Sequence, residues 1–290
     1  MEINGYTRTC GLMGNPVEHT MSPLIHNTLA KKLCHNLVYI PFHVEQGKEA
    51  DAVKGAFALN FLGLNVTVPY KSKVMDSLTE IDELAEKIGA VNTLVRTPNG
   101  FKGYNTDMLG LYRAMCSEGI QIEGEDVILL GAGGAARAVA FLCASKNAAR
   151  VYLLNRSKDK AEAVAKEVNE KSGRDCIYPM ALDDYRSLPD KKFLAVQATS
   201  VGLYPDADRA VIEDEEFYRK IHTGYDLIYR PCETKFMALT KKQRGSAFHG
   251  LKMLLYQGII AYELWNKLSV SEEMALEVYC MLQEKMEINV

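Results

Sequence analysis

The chain has 290 residues, 48% hydrophobic and 24% charged, with a formal net charge of -3. Such totals fit an ordinary globular protein of about two domains at roughly 100–200 residues each. They offer no field to attract nucleic acid or an anionic membrane, and no apolar run is long enough to span a bilayer.

In chain order, strand-like and helix-like segments alternate from the start. CGLMG reads as a strand and its exit. SPLIHNTLAKKL reads as a helix with Pro23 near its beginning, where a missing N–H does no harm. LVYIPFHV is a strand, KEADAVKGAFALN a helix and GLNVTVPYK a strand. In that last segment Asn65 and Thr67 alternate with Val66 and Val68, which predicts one polar and one apolar face. Pro69 should end the pairing, and Lys71 stands just beyond it. MDSLTEIDELAEKIG is expected to be helical, and AVNTLVRTPNGFKGYNTD a hairpin turning on PNG. A helix follows from Met108 to about Ser117.

A second α/β unit is expected over 108–245. The apolar run Val127–Leu130 meets the turn GAGGAAR and then a helical period. RVYLLNR is a second buried strand, followed by the amphipathic helix SKDKAEAVAKEVNEK. FLAVQATS and YDLIY read as further strands, and two helices, GLKMLLYQGIIAYELW and SEEMALEVYCMLQEKM, close the chain. Their pattern does not say which domain they join.

The glycine turn carries chemistry. Gly131 permits a tight turn, Gly133 lets the backbone approach a diphosphate, and Ala136 is small where the helix packs on the sheet. The N–H groups at the helix start would face the anion. A strand before, a helix after and a second strand at the right distance predict dinucleotide binding, hence a Rossmann-type domain. An NAD-preferring site usually ends that second strand in Asp or Glu; here stand Asn155, Arg156, Ser157 and Lys160. Arg bonds a 2′-phosphate bidentately, so NADP is the expected cofactor. The plainer alternatives are a structural glycine turn, solvated basic side chains and a Ser157 helix cap.

Hydride reduction of a ketone develops negative charge on oxygen, which an ammonium beside a carboxylate can stabilise and protonate. Lys71 fits the first part and Asp107 the second, although Asp107 taken alone could be only a helix N-cap. The seven cysteines are scattered and form no C-x-x-C pair, as in reduced cytosolic proteins, and no zinc-ligand spacing is present. Residues 1–14 lack the pattern of a signal peptide. The expected location is therefore the cytoplasm. His19, His26 and His249 read as structural or surface residues, and Met253 as packing. Oligomeric state is not legible, and a homodimer is left open.

The motifs GLMGNPVEHTMSPLIHN, GLNVTVPYK, GAVNTL, GYNTD, GAGGAARA, LNRS, ATSVG, DLIY and GLKMLLYQG resemble the shikimate dehydrogenase family, including its quinate/shikimate relatives. They cover nearly the whole chain in the family's order. The resemblance implies a substrate domain over 1–107, an NADP domain over 108–245, and helices over 246–290 returning to the first domain, with the active site in the cleft between domains. It makes Lys71 and Asp107 the catalytic pair. Substrate would meet Thr20, Ser22, Asn65, Thr67, Asn92, Tyr229 and Gln257. The cofactor would meet Gly131, Ala132, Gly133, Gly134, Ala135, Asn155, Arg156, Ser157, Lys160, Thr199, Ser200 and Gly250. The implied reaction is reversible NADP-dependent reduction of 3-dehydroshikimate to shikimate. The rivals are a quinate/shikimate dehydrogenase using NAD and a non-catalytic NADP-binding regulator. Two positions depart from the family pattern: Thr20 stands where Ser is frequent in S-x-S-P, and Gln197 where N-A-T-S has Asn.

Overall fold

A computed structural model describes residues 2–203 and 206–287. The chain forms two compact units, one from Met1–Gly110 with Leu254–Val290, the other from Leu111–Met253. The first holds β1 (Arg8–Gly14), α1 (Ser22–Lys32), β2 (Leu37–His43), α2 (Glu49–Ala58), β3 (Gly63–Val66), β4 (Glu80–Ile81), α3 (Glu83–Ile88), β5 (Thr93–Thr97), β6 (Gly100–Tyr104) and the start of α4 (Thr106–Ser117). Its sheet runs in the order β2-β1-β3-β5-β6-β4. β1, β2 and β3 are parallel, while β5 is antiparallel to both β3 and β6. The expected hairpin is present, with Thr97 opposite Gly100 across a two-residue turn.

Two local expectations are corrected. Residues 75–89 are not one helix: a 3₁₀ turn over Lys73–Ser77 leads into β4 and then α3. Thr79 and Asp82 donate their N–H groups to Phe101 O and Gly103 O, which holds the segment against β6. The Asp82 carboxylate then caps α3 by accepting from Leu84 N at 3.1 Å. Secondly, β3 stops at Val66, short of the expected end at Pro69, and Asn65 on its polar side is buried along with Leu64 and Val66.

The second unit holds β7 (Asp126–Leu130), α5 (Gly134–Ser145), β8 (Arg150–Asn155), α6 (Lys158–Ser172), β9 (Ile177–Ala181), β10 (Phe193–Gln197), α7 (Glu215–Arg219), β11 (Ile221–Asp226), α8 (Lys235–Lys242) and β12 (Ser246–His249). Its sheet is wholly parallel in the order β12-β11-β10-β7-β8-β9, the doubly wound arrangement. The five residues of β7 and of β10 are all buried, as strands covered on both faces require. YDLIY is not itself a strand: β11 starts earlier and ends at Asp226, whose carboxylate accepts from Ile228 N at 2.9 Å and turns the chain.

The chain returns through α9 (Leu251–Asn266), and α10 (Glu272–Glu287) follows. Among the described residues, no helix is long and apolar enough to cross a membrane.

Between α1, β2 and α9 lies a polar exception in an apolar core. His26 is fully buried, stacks on Tyr39 at 4.1 Å and 16°, and faces Trp265 at 5.1 Å. Neither of its ring nitrogens meets a hydrogen-bond partner. Burial depresses its pKa to about 3, an effect the nearby Asn65 amide offsets only in part. The folded state therefore binds fewer protons than the unfolded state between pH about 3 and 6.5, where the unfolded imidazole titrates. The stability that His26 contributes as a neutral ring is complete above that window and is lost as pH falls through it. His26→Phe keeps the stack without the titration. Thermal unfolding from pH 7 to 4 should therefore show a shallower acid decline in the variant; equal declines would contradict a neutral, buried His26.

Candidate functional site

Lys71 is held by its backbone. After β3, Thr67 donates its N–H to Met13 O and Tyr70 donates its own to Thr67 O, forming a tight turn through the cis peptide Val68–Pro69. Tyr70 is buried, and its hydroxyl donates to Val44 O at 2.7 Å. Val91 N donates to Lys71 O at 2.7 Å. Asp107 comes from a different part of the unit, the first turn of α4. It is not the cap of that helix: Asn105 Oδ1 accepts from Met108 N at 3.3 Å, while Asn105 Nδ2 donates to Ala90 O at 3.0 Å. Asp107 thus lies in the first turn of α4, at the positive end of the helix dipole.

Lys71 Nζ donates to Asp107 Oδ2 at 2.6 Å, with the side chains 33% and 22% exposed. Partly exposed pairs contribute little to stability, about 0–1 kcal/mol. The chemistry left over is more informative. The ammonium keeps two N–H groups and the carboxylate keeps Oδ1.

Beside this pair lies a buried polar cluster. Asn65 Nδ2 donates to Thr93 Oγ1 at 3.0 Å and to Asn92 O at 3.3 Å, and its Oδ1 accepts from the Tyr39 hydroxyl at 2.8 Å. Asn92 Oδ1 accepts from Thr106 N at 2.7 Å and from Thr106 Oγ1 at 3.1 Å. The cluster therefore ties β2, β3 and β5 to the start of α4. Ser22 is buried at the head of α1, and its N–H donates to Thr20 Oγ1 at 3.2 Å. Threonine at position 20 thus keeps a helix-entry bond that serine could also make. Thr67 is half-buried. Gln257, on α9, folds back to donate to Leu254 O at 2.8 Å. It lies where α9 closely approaches Gly110 of α4: a Cβ there would meet Gln257 N at 2.6 Å.

The cofactor candidates lie in the second unit at the carboxyl ends of β7, β8 and β10, except Gly250, which follows β12. β7 and β10 are neighbours from which the strand order runs in opposite directions, the place where open α/β sheets bind ligands. Gly131 leaves β7 with φ +112°, and a Cβ there would meet Thr199 Cγ2 at 2.9 Å. Ala132 is half-buried, and Gly133, Gly134 and Ala135 are exposed. A Cβ added at Gly133 or Gly134 would meet nothing within 4 Å, so the turn presents open backbone at the start of α5. These residues fit a diphosphate. At the end of β8, Asn155 Nδ2 donates to Ser157 O at 2.8 Å, which shapes the turn. Arg156 and Lys160 are exposed, and neither is paired with a carboxylate among the described residues.

Gln197 explains itself here. Its Oε1 accepts from Thr199 N at 2.5 Å, and its Nε2 donates to Val201 O at 3.0 Å and to Asp226 Oδ1 at 3.3 Å. It braces the Thr199–Ser200 loop from within. Asp226 is buried; desolvation raises its pKa to about 6 against bonds from Thr234, Ile228 and Gln197. Tyr229 is half-buried just after β11, and burial raises its pKa. Gly250 is set by packing, since a Cβ there would meet Leu227 O at 2.2 Å. The structure thus joins Lys71 with Asp107, Asn65 with Asn92, Thr20 with Ser22, and Gly131 with Thr199. It adds Tyr39, Thr93, Asn105, Thr106 and Asp226, which had read as core, strand or turn residues.

Comparison with known proteins identifies the family. The model of the shikimate dehydrogenase substrate binding domain matches residues 12–94, and that of shikimate / quinate 5-dehydrogenase matches residues 115–196. The shikimate dehydrogenase (NADP(+)) of Desulforamulus reducens is 41% identical over 91% of this chain and 91% of its own. A shikimate dehydrogenase crystallised with NADP+ is 36% identical, with a TM-score of 0.86 over 96% of both chains. The Listeria monocytogenes shikimate 5-dehydrogenase, in complex with shikimate and NAD, is 29% identical, with a TM-score of 0.88 over 96% of this chain and 98% of its own. On this similarity, which runs through both units, the chain belongs to the shikimate dehydrogenase family.

Proposed function

We propose that the protein catalyses the reversible NADP-dependent reduction of 3-dehydroshikimate to shikimate, a step towards the aromatic amino acids. The observation that carries this reading is the 2.6 Å contact between Lys71 Nζ and Asp107 Oδ2, in one unit with the buried Asn65–Asn92 cluster. The names of the relatives support it. The seven cysteines, all free, fit a reducing compartment, which we take to be the cytoplasm.

NADPH, when bound, supplies the hydride that reaches the carbonyl carbon. Lys71 directs its remaining N–H groups at the carbonyl oxygen, stabilises the charge developing there and delivers a proton to it. In the oxidative direction the same nitrogen receives that proton. Asp107 keeps Lys71 oriented through Oδ2 and offers Oδ1 to a neighbouring ring hydroxyl. Thr20 and Ser22 present hydroxyls to the substrate carboxylate. Asn65, Thr67, Asn92 and Gln257 bind the remaining polar groups. On the cofactor side, Gly131, Ala132, Gly133, Gly134 and Ala135 hold the diphosphate, with Thr199, Ser200 and Gly250 nearby. Arg156 and Lys160 bond the 2′-phosphate beside Asn155 and Ser157.

Lys71→Ala should lower kcat by about 10²–10⁴-fold while shikimate binding, measured by calorimetry, weakens far less. Equal losses in both would contradict a role in the transition state. Arg156→Ala should raise KM for NADP by about 10–100-fold, the worth of a hydrogen bond to a charged group, and leave KM for NAD nearly unchanged. Equal changes for both cofactors would contradict a 2′-phosphate contact.

A further inference from the structure

The hydrogen bonds around Asn65 and Asn92 fix which end of each amide is which. A backbone carbonyl can only accept, so the Asn65 atom facing Asn92 O must be the nitrogen. Its two N–H groups are then both used, one on Asn92 O and one on Thr93 Oγ1. Oδ1 therefore faces Tyr39, and the tyrosine hydroxyl is the donor at 2.8 Å. Within the cluster Asn65 Oδ1 accepts only from Tyr39, with the His26 ring as its other neighbour. Asn92 has the opposite polarity. A backbone N–H can only donate, so the atom receiving Thr106 N is the oxygen. That oxygen also accepts from Thr106 Oγ1, while Asn92 Nδ2 makes no hydrogen bond among the described residues.

Tyr39 is placed to enforce this. It is 2% exposed, in β2, one strand removed from β3 across β1. Its ring is fixed by the His26 stack at 4.1 Å.

We propose that Tyr39 is a positioning residue for substrate recognition: by donating to Asn65 Oδ1, it fixes Asn65 as an acceptor of a ring hydroxyl while Asn92 serves as a donor. The ligand class this selects is a ring carrying free hydroxyls, at least one of which donates to Asn65. The inference rests on the proposed shikimate-binding role of the first unit.

The test is a double-mutant cycle with Tyr39→Phe and Asn65→Ala, read by steady-state kinetics with shikimate and NADP and by thermal unfolding. Tyr39→Phe keeps the stack on His26 and removes only the hydroxyl. It should raise KM for shikimate about tenfold, the worth of one hydrogen bond, with kcat within about twofold and KM for NADP unchanged. In the Asn65→Ala background the same change should have no further effect on KM. Equal effects in both backgrounds, an unchanged KM, or a loss confined to kcat would overturn the proposal. Thr93→Val removes the partner on the other side of Asn65 and should give the same KM signature if Tyr39→Phe does not fold. A rise in KM for NADP in either variant would mean general loosening and would also overturn it. A wild-type protein that does not turn over shikimate overturns the proposed reaction, and this inference with it.

Discussion

The first N–H groups of a helix have no partner within it, and at α4 that deficit organises the candidate site. Asn92 Oδ1 takes the N–H of Thr106, and Asn105 Oδ1 takes that of Met108. Asn92 follows Val91, whose N–H holds Lys71 O, and Asn105 Nδ2 reaches back to Ala90 O. One short segment, 90–92, therefore anchors both the turn carrying Lys71 and the helix carrying Asp107. The ion pair follows from this backbone frame rather than creating it. A 2.6 Å contact between partly exposed groups would otherwise be easily lost to solvent.

The second unit solves a different problem with the same economy. A diphosphate needs bare backbone, and β7 delivers it at Gly131–Gly134, where added side chains would be strained at the first glycine and idle at the others. The neighbouring strand must end without crowding that turn. Gln197 closes β10 with a side chain long enough to reach Thr199, Val201 and Asp226 together. Asp226 in turn anchors Thr234 and the Ile228 turn that leads to Tyr229. The departure from asparagine at position 197 thus has a structural consequence: a single amide ties the loop after β10 to the end of β11.

Much of this is legible in the amino-acid sequence alone. Strand-helix alternation gave the α/β class, PNG marked the hairpin, and the glycine turn with Asn155–Arg156 marked the nucleotide side. These are local signals, written within a few residues. What stayed hidden depends on distant partners. Lys71 and Asp107 are 36 positions apart, and the chemistry of ketone reduction suggests the pair without showing that the fold brings them together. Asn65 read as one of a row of polar rim residues, yet Tyr39, Thr93 and Asn92 bury it. Tyr39 read as one more apolar strand residue, because nothing in LVYIPFHV announces a hydroxyl aimed at an amide. The expected helix over 75–89 failed because Asp82 and the ladder to β6 outweighed a periodic pattern.

The proposed reaction sets the Lys71–Asp107 pair to work on a hydroxylated ring acid, with NADP as the cofactor. The most direct measurement is the initial rate of nicotinamide reduction by the purified protein, with shikimate and quinate each offered with NADP and with NAD. The account predicts rapid turnover for shikimate with NADP and much slower turnover for the other three pairs. Comparable rates with quinate, or faster reduction of NAD, would contradict it.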